Sequence, residues 1–196
     1  MLEYETTPLA ENSPLKINVT PPINNPSSDS NEKLSQMVPI EESKTVSVFD
    51  FPVSVFDVAA YILGKTGTIS TIKLQKLVYY CQAWSLVWDD APLFCERIEA
   101  WVNGPVVREL FAFHRGAFLI NAVPIGVPAH LSKTQRETID AVIKFYGKRT
   151  GQELVEMSHL EEPWKIARKG LDPDERGVAI ISNESMAEYY TSISVK

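Results

Sequence analysis

Residues Ser70 to Pro105 constrain the fold more than any other stretch. From Ser70 to Trp88 the apolar residues Leu74, Leu77, Val78, Cys81, Trp84 and Trp88 recur at steps of three and four, the period of a helix face. Ser70 stands where its hydroxyl can accept from the first free amides, and Asp89-Asp90-Ala91-Pro92 stops the pattern. Three of the four tryptophans and both cysteines lie in this stretch. A side that apolar must be covered, so the rest of the chain reads as its cover.

The cover is legible as further periodic segments. Val55, Val58, Ala59, Ile62 and Leu63 predict a helix over roughly residues 53–63, with Gly64 as its C-cap. Phe94, Ile98, Ala100 and Val102, at even spacing, predict a short extended segment. Gly104-Pro105 reads as the start of a helix running to Arg115, with proline where no amide hydrogen is needed. Val107, Leu110, Phe111 and His114 share its face, and His114 reads as a half-buried helix-end histidine. Ser132 with Gln135, and Thr150 with Glu153, spell capping boxes for helices over 131–146 and from 151 to 159. Glu162-Pro163-Trp164 opens another helical turn, Val178–Ile181 is extended, and Ser182 caps a last helix with Met186, Tyr189, Tyr190 and Ile193 on its apolar side. The expected fold is mainly α, a compact single-domain helical bundle of about six to seven helices with a small extended or β element, over residues 46–196.

Residues 1–45 differ in kind. They hold six prolines and the polar run Asn24 to Asn31, and no aromatic residue stands between Tyr4 and Phe49. Such a segment buries too little apolar surface to offset its ordering entropy, so it reads as a Pro-rich flexible extension, disordered or ordered by a partner. Charge follows the same division: residues 1–50 hold eight acids against three lysines, while the remainder holds seventeen acids against sixteen bases. This balance gives no basic footprint for nucleic acid. No apolar run approaches the 18 or so residues of a membrane span, and no secretory signal opens the chain. The expectations are a cytoplasmic protein without membrane contact, in which Cys81 and Cys95 are a buried thiol pair.

Chemistry-bearing motifs are scarce. Gly64-Lys65-Thr66 ends like a phosphate loop, but Ala59 stands where that loop needs glycine. HExxH, CxxC and GxSxG are absent. Glu153, Glu156 and His159 partly share a helix face but lack a matching second set of ligands. We therefore expect no catalytic residue, no metal, no cofactor and no enzymatic activity. On the central helix Lys73, Gln75, Lys76, Tyr79 and Gln82 fall off the apolar stripe, which predicts a solvated or partner-facing strip with Tyr79 or Tyr80 as an anchor. Lys73, Lys76, Tyr79 and Trp101 are the candidate partner-binding residues.

Several segments, taken in order, resemble one family. They are Val55–Leu63, Leu74-Gln75-Lys76-Leu77-Val78-Tyr79-Tyr80, Pro92-Leu93-Phe94, Ile98-Glu99-Ala100-Trp101, Asn103-Gly104-Pro105-Val106-Val107, and Ser158-His159 followed by Pro163-Trp164. Over roughly residues 53–192 the chain is similar to the Panacea domain, the SocA-like antitoxin family formerly called phage-associated GepA-type. The signature positions are Leu74, Gln75, Lys76, Leu77, Tyr79, Trp101, Gly104, Pro105, His159, Pro163 and Trp164. The resemblance implies a helical domain that neutralises a cognate protein toxin, encoded by the adjacent gene, through direct binding. Two alternatives stand behind that reading: a proteolytic adaptor delivering a bound toxin or client to a ClpXP-type protease, or a phage or mobile-element protein that binds a host factor. It carries over no catalytic residues. The extension shows no helix-turn-helix pattern, so DNA binding by this chain alone is not expected.

Overall fold

Small polar side chains set most helix starts. The computed structural model describes residues 52–194; the expected extension 1–45 lies outside them. Ser54 and Asp57 form a capping box at the start of α1 (Val55–Thr66). Gly64 does not end this helix. Gly67 does, at φ 68°, with its amide on the Leu63 carbonyl. After β1 (Ile69–Ser70), the Ser70 hydroxyl accepts from the Lys73 amide and starts α2 (Thr71–Trp88).

β2 (Ile98–Trp101) turns back into β3 (Gly104–Val107) with Ile98 opposite Val107 and Trp101 opposite Gly104. This corrects the helix expected from Pro105, because the helix α3 (Arg108–His114) starts three residues later. The backbone explains why proline fits a strand here. The Ala100 amide donates to Ala179 and the Ala100 carbonyl accepts from Arg168, so Ala100 and its partner Pro105 exchange no ladder bonds. The missing amide of Pro105 therefore costs the sheet nothing.

β4 (Leu119–Ile120) pairs antiparallel with β1. A single 3-10 turn (Pro128–His130) leads to α4 (Lys133–Tyr146), which opens on the Ser132–Gln135 capping box. α5 (Gly151–Leu160) opens on the Thr150–Glu153 box and is followed by α6 (Glu162–Ala167). β5 (Ile180–Ile181) completes a sheet of order β3-β2-β5, and Ser182 caps α7 (Asn183–Ile193). Seven helices and two small antiparallel sheets thus make up the described residues, a mainly α fold.

The core sits on α2. Every residue from Leu74 to Ser85 is buried, so this is not a one-sided helix. Val55, Val107, Ile139 and Met186, each the marker of a different covering element, share one core with it. Tyr80 stacks on Tyr146 at 3.9 Å, and the Trp84 indole donates to the Tyr146 hydroxyl at 3.1 Å. Such large aromatic faces supply much of the burial that offsets chain entropy.

Candidate functional site

The polar residues of α2 face inward, and each binds an element around it. Gln75 acts as a strand neighbour to β3: its carbonyl oxygen accepts the Val107 amide at 2.9 Å, and its amide nitrogen donates to the Val107 carbonyl at 3.3 Å. The same amide nitrogen lies 3.0 Å from His114 Nε2. Burial pulls His114 below the usual histidine range, and the neutral ring accepts that bond. Gln82 treats Leu93 and Phe94 in the same way, accepting from both amides and donating to the Phe94 carbonyl. A helix buried on all sides keeps polar residues because their bonds are spent on neighbouring backbone.

Lys76 and Tyr79 are therefore corrected as partner-facing candidates: both lie inside the domain. Lys76 is 1% exposed, and its ammonium donates to the Pro105 carbonyl at 2.9 Å. Lys73 is half-buried and donates to the Gly147 carbonyl at 2.7 Å, closing the C-terminal end of α4. Of the four candidates, Trp101 stands at an open surface, half-exposed. Cysteine placement is corrected too, since Cys81 is buried but Cys95 is exposed. Burial pushes the Cys81 thiol far up, which makes it inert.

The remaining signature residues meet at the β2–β3 turn. Gly104 has φ 88° and lies against Lys76 and Ser158. His159 stacks on Trp164 at 4.1 Å, and the Trp164 indole donates to the Trp101 carbonyl at 3.0 Å. Arg168, which the sequence reading missed, is 5% exposed. Its guanidinium donates to the carbonyls of Ala100, Asp172, Pro173 and Glu175, pinning the 172–175 loop to β2. Glu153, Glu156 and His159 are each engaged elsewhere: Glu153 in its capping box, Glu156 with Gln152, and His159 on Trp164. Among the described residues no group of three His, Cys, Asp or Glu is placed to hold a metal ion.

Glu161 is the second residue missed. It accepts the hydroxyls of Tyr79 (3.1 Å), Tyr80 (3.1 Å) and Tyr190 (2.7 Å) in the buried interior. Burial pushes its carboxyl up to about 7, although the three phenol donors favour the charged form. Burial also pulls the Lys76 ammonium down to about 7. The two groups act on stability with opposite signs. Glu161 holds its proton more tightly when folded, so its contribution is full below the ordinary value of 4.5 and is lost as pH rises through about 7. The Lys76 contribution is full above the ordinary value of 10.5 and is lost as pH falls through about 7.

Glu161→Gln should thus gain on the wild type as pH rises from about 5 to 7, and Lys76→Met should lose its advantage from about pH 7 to 10, each by about 1.4 kcal/mol per unit of pKa difference. Urea unfolding across this range checks both; parallel pH curves for wild type and variants would refute the assignment.

Beside the turn lies a cleft of about 720 Å³. Trp101, Val106 and Phe111 form its apolar part, with the Trp101 and Phe111 rings edge to face at 4.7 Å. The Trp101 indole donates to Glu99 at 2.7 Å, which fixes the ring. Arg108, Arg115 and Arg176 stand around it, and Val178 at its rim is 63% exposed.

These features define the class: a mainly α domain with small antiparallel sheets, whose buried central helix ties its neighbours together through polar side chains. Residues 74–165 match the family model for the antitoxin SocA-like, Panacea domain. The matched segment runs from α2 into α6 and holds every signature position named above. α1 and α7 complete the fold outside it, within the wider range expected from the sequence. No curated protein and no solved structure matches the chain.

Proposed function

We propose that the protein is the antitoxin of a toxin–antitoxin pair and neutralises a cognate protein toxin by binding it directly. The match of residues 74–165 to the SocA-like Panacea family carries this reading. The architecture supports it, because most signature side chains bond inward and maintain the scaffold, which leaves the surface around Trp101 for a partner. In this reading the protein works in the cytoplasm, where its two free cysteines stay reduced, and it needs no cofactor and performs no catalysis. Among the described residues no helix is long and apolar enough to cross a membrane.

The test is expression of the adjacent open reading frame with and without this chain. The neighbour should arrest growth alone, be harmless when both are present, and co-purify with this protein. A neighbour that is harmless alone, or stays toxic without forming a complex, would sink the proposal.

A further inference from the structure

We infer that the cleft beside the β2–β3 turn receives an acidic segment of the protein partner, with Trp101 as apolar anchor and Arg108, Arg115 and Arg176 as charge contacts. This rests on the reading of the protein as a toxin-binding antitoxin and names the chemistry of the surface it uses. The chain as a whole carries a net charge of −6, yet three arginines and no acidic residue line this cleft. That local inversion selects a negatively charged occupant.

The arginines are available for it. Arg108 is 66% exposed and only loosely paired, 3.6 Å from Glu99. Arg115 and Arg176 are exposed and make no ion pair among the described residues. Guanidinium groups bind carboxylates in a two-point fork, which suits Asp and Glu side chains on a peptide.

The apolar part asks for more than charge. Trp101 is held by its bond to Glu99, by the Phe111 edge, and through its carbonyl by Trp164. A half-exposed aromatic fixed at three points is pre-organised, so a partner side chain that covers it orders little else. With Val178 exposed at the rim, the occupant is an acidic segment bearing an apolar residue. Arg168 keeps the wall on that side in place by pinning the 172–175 loop that precedes Arg176 and Val178.

The test measures affinity of the full chain for the adjacent-gene product, by biolayer interferometry, for the wild type, the triple variant Arg108→Glu/Arg115→Glu/Arg176→Glu, and Trp101→Ala. All three arginines are exposed, so the triple variant should keep the wild-type melting temperature. It should weaken binding by about 100-fold, and added salt should weaken the wild type more than the variant. Trp101→Ala should weaken binding at every salt concentration. A folded triple variant that binds within about twofold of wild type overturns the cleft assignment and leaves the antitoxin reading standing. A wild type that binds nothing overturns both.

Two further measurements guard against other occupants. Single-stranded DNA that the wild type binds and the triple variant does not would reassign the cleft to nucleic acid. Deletion of residues 1–45 that raises affinity for the product more than about tenfold would reassign it to the chain's own acidic extension.

Discussion

Glu161→Ala is expected to destabilise the domain by about 3–5 kcal/mol, a large part of the stability of an ordinary domain. The carboxylate accepts three hydroxyls, and Tyr79, Tyr80 and Tyr190 are all fully buried. Alanine would leave all three O–H groups without their acceptor, and each orphaned buried donor costs about 1–3 kcal/mol. The same three rings form the aromatic centre, with Tyr190 edge to face against Trp84 at 5.2 Å and Tyr79 tilted on Tyr80 at 5.2 Å. They therefore cannot turn outward to find water without opening the core.

Glu161→Gln keeps one acceptor oxygen and should cost less than alanine at neutral pH, where burial already favours the uncharged form of Glu161. Urea unfolding followed by tryptophan fluorescence measures both variants. An alanine variant within about 1 kcal/mol of wild type would mean that the phenols are satisfied elsewhere, and the seam would then not hold the fold together.

This seam also shows what the amino-acid sequence concealed. Caps were readable because their chemistry is local. Ser70, Ser132, Thr150 and Ser182 sit within three residues of the amides they accept, and the structure starts a helix after each. The roles of Lys76, Tyr79 and Gln82 were not readable, because polar residues off an apolar stripe ordinarily face water. Their partners lie far along the chain: Pro105, Glu161 and Phe94. Glu161 itself sits in Leu160-Glu161-Glu162-Pro163 and looks like one more exposed acid. A usable signal was the adjacent pair Tyr79-Tyr80 on a helix buried enough to hold Trp84, since two buried phenols need an acceptor.

Residues 104–107 failed for a related reason. Gly-Pro is as good a helix start as a strand end, and Gln75, thirty-two residues earlier, decides the matter by taking the Val107 amide. The cleft was half legible. Trp101 falls between the evenly spaced Ile98, Ala100 and Val102, off the core face of its strand, whereas Arg108, Arg115 and Arg176 come to one cleft only in the folded chain. The family resemblance offered its signature residues as fold positions, and the structure buries most of them, Trp101, His159 and Trp164 being half-buried.

Gly104→Ala is the variant that joins this scaffold to the cleft, and it should cost about 3 kcal/mol. Two causes add. At φ 88° an L-residue is strained, by about 1–2 kcal/mol. A Cβ there would also lie 2.6 Å from Ser158 Oγ and 2.7 Å from Lys76 Cε. Neither neighbour moves freely, because Ser158 donates to the Val155 carbonyl and Lys76 to the Pro105 carbonyl. Gly116 separates the two causes within the same molecule. Its φ is 86°, but nothing stands within 4 Å of its added Cβ, so Gly116→Ala reports the backbone cost alone. The excess of Gly104→Ala over Gly116→Ala should be about 1–3 kcal/mol, and it should shrink in a Ser158→Ala background, where the nearest clashing atom is gone. Equal costs at the two glycines would show that the Lys76–Ser158 contact imposes no constraint. Because Gly104 pairs with Trp101 across the turn, any shift that relieves the clash also moves the cleft's anchor, so Gly104→Ala should weaken partner binding even at temperatures where the variant stays folded.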